Sequence, residues 1–142
     1  MKKGCVICER LALWRQGRNT DVVRAFRQSV LVIGMNQHFR GYALLLLKRH
    51  LREPHQLPPK ARRALFEELM RSADAVWRCF KPWKLNYACY GNAVPHVHWH
   101  IIPRKTKGPP PWLVREFRAA KPAPEAVRAR LASRLRRYVG TR

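Results

Sequence analysis

The apolar residues of this chain fall into short runs with two periods. Residues 29–35, Ser29-Val30-Leu31-Val32-Ile33-Gly34-Met35, are β-branched and apolar and predict a buried strand. Asn36-Gln37-His38-Phe39-Arg40-Gly41 reads as a turn and Tyr42-Ala43-Leu44-Leu45-Leu46-Leu47 as a second strand, so 29–47 is expected to be a hairpin, closed by Lys48-Arg49-His50. A long helix is predicted after Pro58-Pro59, where proline suits the first turn. Leu65, Leu69, Ala73, Val76 and Phe80 recur there at helical spacing, and Lys60, Arg62, Arg63, Glu67 and Arg71 are left for the wet side. Pro82 ends the helix, and Cys79, beside the apolar stripe, is expected in the core. Residues 84–90 read as a third strand, in which Cys89 alternates with Leu85 and Tyr87 and is also assigned to the core.

The turn Gly91-Asn92-Ala93-Val94-Pro95 leads into a strand predicted over 96–102. Near the N-terminus, Leu11, Leu13 and Trp14 suggest a short packed turn or helix, while residues 19–28 are polar and mixed. Pro109-Pro110-Pro111 must be extended. Residues 124–139 predict a basic helix with Val127, Leu131, Leu135 and Val139 four apart. Packing of that stripe, with a solvated arginine face, is the expectation for it; completing a partner subunit's site or binding nucleic acid are the alternatives. The expected organisation is a domain over 1–112 and a basic extension over 113–142.

The strand at 96–102 carries unusual chemistry. His96, His98 and His100 alternate with Val97, Trp99 and Ile101. A strand has a side-chain period of 2, so an extended backbone lays the histidines on one face and the apolar residues on the other. Imidazole titrates near neutral pH, is a nucleophile when neutral and binds metals. Two chemistries fit: a metal held by all three, or phosphoryl chemistry with a histidine nucleophile. Cys5-x-x-Cys8 can supply half of a tetrahedral zinc site. No second such pair exists, so the missing ligands should be histidines, drawn from His38, His50, His55 and the strand. At Gly91 the backbone can approach an anion closely, and the Asn92 amide can donate to a phosphate oxygen.

Composition narrows this further. A chain of 142 residues predicts one domain with a real core. No apolar run reaches the roughly 18 residues that a membrane span needs. The N-terminus shows no apolar signal region, so a cytoplasmic, reducing location is expected, in which four cysteines serve as metal ligands or core residues. Thirty Lys and Arg against eight Asp and Glu give a net charge of +22, which attracts polyanions in general: nucleotides, nucleic acid or anionic lipid.

His96-Val97-His98-Trp99-His100-Ile101-Ile102 resembles the signature of the histidine triad (HIT) family. Asn86, the turn 91–95, Pro103-Arg104 and Gly41-Tyr42-Ala43-Leu44-Leu45-Leu46-Leu47-Lys48-Arg49-His50 are also similar to segments of that family, where many members carry Gly-His in place of Gly41-Tyr42. Cys5-x-x-Cys8 resembles the N-terminus of its zinc-containing branch. The match covers roughly residues 5–112. It implies an α+β, HIT-like fold: an antiparallel sheet of about five strands with the long helix packed on it, as a homodimer. It implies a nucleotide hydrolase acting at an α-phosphate through a nucleotidyl-histidine. His98 is then the nucleophile, His100 the donor to phosphate oxygens, and Asn92 and Asn86 amide contacts, with Gly91 and Val94 lining the substrate turn. Cys5, Cys8, His50 and His96 would hold a structural Zn²⁺. Alternation points His96 the same way as the other two; if Pro95 does not bend the backbone, His55 is the next candidate ligand. His100, where the uridylyltransferase branch has Gln, resembles the hydrolases.

Two positions depart from the pattern. Gly34 stands where members often carry Asp or Asn for the ribose hydroxyls, with Asn36 two residues later, and Leu47 replaces a usual proline. The expected substrates are nucleoside phosphoramidates, dinucleoside polyphosphates or similar nucleotidyl conjugates. The alternatives are an enzyme that removes a 5′ nucleotidyl group from nucleic-acid ends, and a nucleotide- or RNA-binding protein with little catalysis.

Overall fold

The computed structural model describes residues 2–140. Its centre is one antiparallel sheet of five strands: β1 (Val22–Ala25), β2 (Ser29–Ile33), β3 (Ala43–Leu47), β4 (Lys84–Ala88) and β5 (His98–Arg104), in the order β1-β2-β3-β5-β4. Strands β2 and β3 form the expected hairpin, with Leu31 opposite Leu45. Among the described residues four α-helices accompany the sheet: α1 (Val6–Arg15), α2 (Pro59–Phe80), α3 (Arg115–Ala119) and α4 (Glu125–Arg136).

The period of 2 divides the sheet into two apolar faces. Leu31, Ile33, Leu45, Leu47 and Ile101 point to one, where they meet Leu65, Leu69, Val76 and Phe80 of α2 and Leu131, Ala132 and Leu135 of α4. Val30, Val32 and Leu46 point to the other and are covered by Ile7, Cys8 and Leu11 of α1. In the β3–β5 register Leu46 faces His98 and Leu44 faces His100. Both histidines therefore share the α1 face of the sheet, beside the part that α1 covers.

Several details differ from the pattern read in the sequence. The strand β1 lies within the polar stretch 19–28; it is short and bulged, and only Val23 of its residues is buried, so it carries almost no periodic signal. Tyr87, on the sheet's outer strand β4, is 44 % exposed, while Cys89, just past that strand, is half-buried and packs against the same core as Leu85. The last strand begins at His98, two residues later than expected, which removes His96 from it.

The stripe of α4 packs as expected and Arg130, Arg134 and Arg136 lie on its exposed face, where two of them also reach backbone carbonyls, while Arg128 is half-buried. Arg134 donates to the Cys79 carbonyl at 3.0 Å, Arg136 to the Val22 carbonyl at 2.7 Å and Arg128 to the Ala123 carbonyl at 2.5 Å. Asp21 is buried between Arg10 of α1 (3.1 Å) and Arg128 of α4 (2.8 Å), one carboxylate shared by two guanidinium groups. In a chain with few acids, backbone carbonyls take up much of the cationic donor capacity. Leu135, which has no exposed surface, tests this packing: Leu135→Ala should lower the unfolding free energy by about 2–5 kcal/mol in urea titration, and a loss below about 0.5 kcal/mol would show that α4 is not part of the cooperative core.

Candidate functional site

The site begins at a turn. The His96 amide donates to the Val94 carbonyl at 2.7 Å, an i to i+2 bond centred on Pro95. Proline's fixed φ suits the centre of such a turn. The turn swings His96 off the β5 face and into the interior, where it is fully buried. Its Nε2 donates to the Leu47 carbonyl at 2.7 Å; a carbonyl only accepts, so Nε2 carries the hydrogen and Nδ1 keeps a free lone pair.

That lone pair faces three other ligand atoms. His96 Nδ1 lies 3.4 Å from Cys5 Sγ, 3.7 Å from Cys8 Sγ and 3.2 Å from His50 Nδ1, and Cys8 Sγ lies 3.5 Å from His50 Nδ1. All four ligand atoms lie within 4.8 Å of one another. A tetrahedral zinc with bonds of about 2.3 Å to sulfur and about 2.0 Å to nitrogen would set nitrogen and sulfur about 3.5 Å apart and two nitrogens about 3.3 Å apart. The donor set fits. Burial, with positive neighbours adding to it, holds both imidazoles below the usual histidine range, in the neutral form a metal needs, and pushes the Cys8 thiol up when no cation is present to stabilise its thiolate. His55 is exposed on a single 3₁₀ turn and His38 meets the Phe39 ring edge-on, and neither joins the cluster.

His98 remains on the strand. Its Nδ1 donates to the His96 carbonyl at 2.6 Å, which leaves the Nε2 lone pair free. The same turn thus buries one histidine and sets the tautomer of the next. His100 lies beside it, ring centroids 4.9 Å apart, with its Nδ1 2.6 Å from the Tyr42 hydroxyl. Burial, and then the neighbouring His98, lowers the His100 imidazole to about 4, so it is neutral at physiological pH.

Both rings open into a cavity of about 540 Å³ lined by Tyr90, Gly91, Asn92, Ala93, Val94, His98, His100 and Trp112. None of these side chains is acidic or permanently cationic, although the chain as a whole carries +22. Asn92 is exposed at the cavity mouth, and Gly91 adopts the left-handed φ of 68° that lets the turn close. Asn86 shares the face of β5 but not the cavity lining, and its Oδ1 accepts from Arg104 at 3.4 Å. Asn36 is likewise engaged elsewhere: its amide donates to the Phe117 carbonyl at 2.5 Å.

Trp112 completes the cavity wall, and Tyr42 and Phe117 pack behind His100; none of the three was anticipated. Trp112 meets the Tyr90 ring edge-on at 5.5 Å, and Tyr42 packs against Phe117 at 5.5 Å. Trp112 and Phe117 follow the proline run 109–111, which carries the chain back across the sheet; only a strap-like role for that run could have signalled them.

Against known proteins, the model of the HIT domain matches residues 16–107. The fold is similar to a Hit-like protein of Bartonella henselae described as involved in cell-cycle regulation, at 17% identity, with 97% of this chain and 98% of that chain covered and a TM-score of 0.74. It is also similar to a histidine triad protein of Bradyrhizobium japonicum, at 25% identity, 84% and 91% coverage and a TM-score of 0.70. A zinc-bound histidine triad family protein of Mycobacterium smegmatis is 20% identical, with 93% of each chain covered and a TM-score of 0.65. No curated protein matches the chain.

Two measurements follow from the site. Elemental analysis should find about one zinc per chain, and Cys8→Ala should abolish its retention; a metal-free protein whose melting is unchanged by chelator would exclude the centre. For His100, the folded value of about 4 lies below the ordinary 6.5, so the unfolded chain takes up the proton first as pH falls. Its contribution to stability is therefore complete above pH 6.5 and is lost towards pH 4. Urea titration should show unfolding free energy falling with pH across that window, and His100→Gln should flatten the slope; an unchanged slope would contradict the burial effect.

Proposed function

The chain belongs to the HIT domain family, and we propose that it is a nucleotide hydrolase acting at the α-phosphate of a nucleoside phosphoramidate, dinucleoside polyphosphate or similar conjugate. The observation that carries this reading is the His98 geometry: a strand-fixed imidazole whose Nδ1–H is held by a carbonyl and whose Nε2 faces a cavity. A neutral imidazole attacks phosphorus without a general base. Nε2 forms the N–P bond while the bond to the leaving group breaks, and the leaving group departs with its electron pair. The ring's positive charge is then stabilised by the His96 carbonyl at Nδ1. Water attacks the phosphohistidine, the N–P bond breaks, and the nucleoside monophosphate leaves.

His100 and the Asn92 amide are the donors to the phosphoryl oxygens, with the Gly91 and Val94 segment as the cavity wall. Neutral donors in place of lysine or arginine suit a site that must release an anionic product. Cys5, Cys8, His50 and His96 hold a structural zinc, which supplies no chemistry to the reaction and ties α1 to the turn at Pro95. Among the described residues no helix is long and apolar enough to cross a membrane. The edge strand β4, with exposed Tyr87 and Trp83, supports a homodimer.

The net charge of +22 favours a second reading, removal of a nucleotidyl group from a nucleic-acid 5′ end. That reading requires affinity for oligonucleotides that falls steeply with salt.

Release of nucleoside monophosphate from a small phosphoramidate at moderate salt tests the first reading. His98→Asn should lower kcat by about four orders of magnitude or more, with the fold intact by circular dichroism. Turnover within tenfold of the unmodified protein would rule out His98 as the nucleophile.

A further inference from the structure

We propose that Tyr42 is a positioning residue for His100: its hydroxyl donates to Nδ1, holds the ring in the Nε2–H tautomer and so aims an N–H donor into the cavity. The inference rests on the reading of His100 as the phosphoryl donor, although its first test does not need substrate.

The argument starts from the donor inventory. Tyr42 is 7 % exposed, and its hydroxyl has His100 Nδ1, at 2.6 Å, as its partner among the described residues. A phenol has one hydrogen to donate, and a neutral imidazole has one donor and one acceptor nitrogen. If Tyr42 donates, its hydrogen and the Nδ1 lone pair satisfy each other. If Nδ1–H donated instead, the buried phenol hydrogen would have no acceptor, which costs about 1–3 kcal/mol. Burial keeps the phenol protonated, well above its ordinary range, and the imidazole neutral, so neither group can escape the assignment by ionising. His100 Nε2 has no hydrogen-bond partner among the described residues. No buried side-chain nitrogen or oxygen there lacks one, so Nε2 reaches the open cavity that His100 lines.

The hydroxyl can act only if the ring is held still. The Tyr42 carbonyl accepts from the Gly34 amide and from Gln37 Nε2, both at 2.9 Å, and the Tyr42 amide donates to the Phe39 carbonyl at 2.9 Å. The ring lies parallel to His100, 8° between planes and 5.9 Å between centroids, with Phe117 of α3 against it at 74°. Gly34 supplies the space: a Cβ there would sit 2.6 Å from Tyr42 Cδ1 and 2.8 Å from Cε1. Gly34 has no left-handed φ, so what it provides is room for this ring and nothing else. Gly34 and Tyr42 are thus one device, and the absence of a side chain at 34 and the presence of a phenol at 42 depend on each other.

The test is the tautomer itself, read by long-range ¹⁵N–¹H correlation of the His100 ring in resting protein. The unmodified chain should show Nδ1 unprotonated and Nε2 protonated. Tyr42→Phe keeps the ring and removes the donor; it should give a tautomer mixture and a kcat lower by about tenfold to a hundredfold with KM little changed. Gly34→Ala keeps the hydroxyl and displaces the ring, and should give the same mixture. An Nδ1–H tautomer in the unmodified protein overturns the inference, as does an unaltered tautomer in Tyr42→Phe. The expected tautomer in a protein that turns over no nucleotide supports the positioning and refutes the hydrolase reading instead.

Discussion

The placement of His96 and the ring orientation of His98 depend on one backbone turn, the short hydrogen bond from the His96 amide to the Val94 carbonyl across Pro95. It separates three histidines that an unbroken strand would have lined up. His96 goes inward to the cysteines, and its carbonyl is left facing the next histidine, so that one peptide both feeds the metal cluster and fixes the His98 ring. A metal at Cys5, Cys8, His50 and His96 would lock this turn through His96. The centre is therefore structural in its effect, yet only one residue removed from the groups that would do the chemistry.

The same economy extends across the triad. Each histidine has one nitrogen assigned by a neighbour: His96 by the Leu47 carbonyl, His98 by the His96 carbonyl and His100 by the Tyr42 hydroxyl. Two partners are carbonyls, which only accept; the third is a phenol, which donates. That difference in partner leaves a lone pair at His98 Nε2 and a hydrogen at His100 Nε2, the two opposite functions a phosphoryl-transfer site needs side by side.

Much of this could be read before the fold. The alternation of His98, Trp99, His100 and Ile101 set their faces, and the spacing of Cys5 and Cys8 asked for two histidines. The α2 stripe was legible because Leu65, Leu69, Ala73 and Val76 are spaced at helical intervals over a long, uninterrupted segment. Other parts could not be read, for physical reasons. The strand β1 is too short and too polar to carry a period. The α4 arginines are solvent-directed as their spacing suggests, but the bonds of Arg134 and Arg136 to the Cys79 and Val22 carbonyls depend on tertiary packing that no local pattern carries. The Trp112 wall and the Phe117 contact to Tyr42 depend on a return path set by tertiary packing, and Gly34 reads as a missing ribose contact until the Tyr42 ring is found in its place.

The central claim is that His98 Nε2 forms a covalent bond to phosphorus. Rapid-quench intact-mass spectrometry of the protein mixed with an adenosine phosphoramidate tests it most directly. The account predicts a transient mass gain of one adenylyl group, mapped to His98 and absent in His98→Asn. Steady release of AMP with no adduct on the chain, or an adduct on another residue, would contradict it.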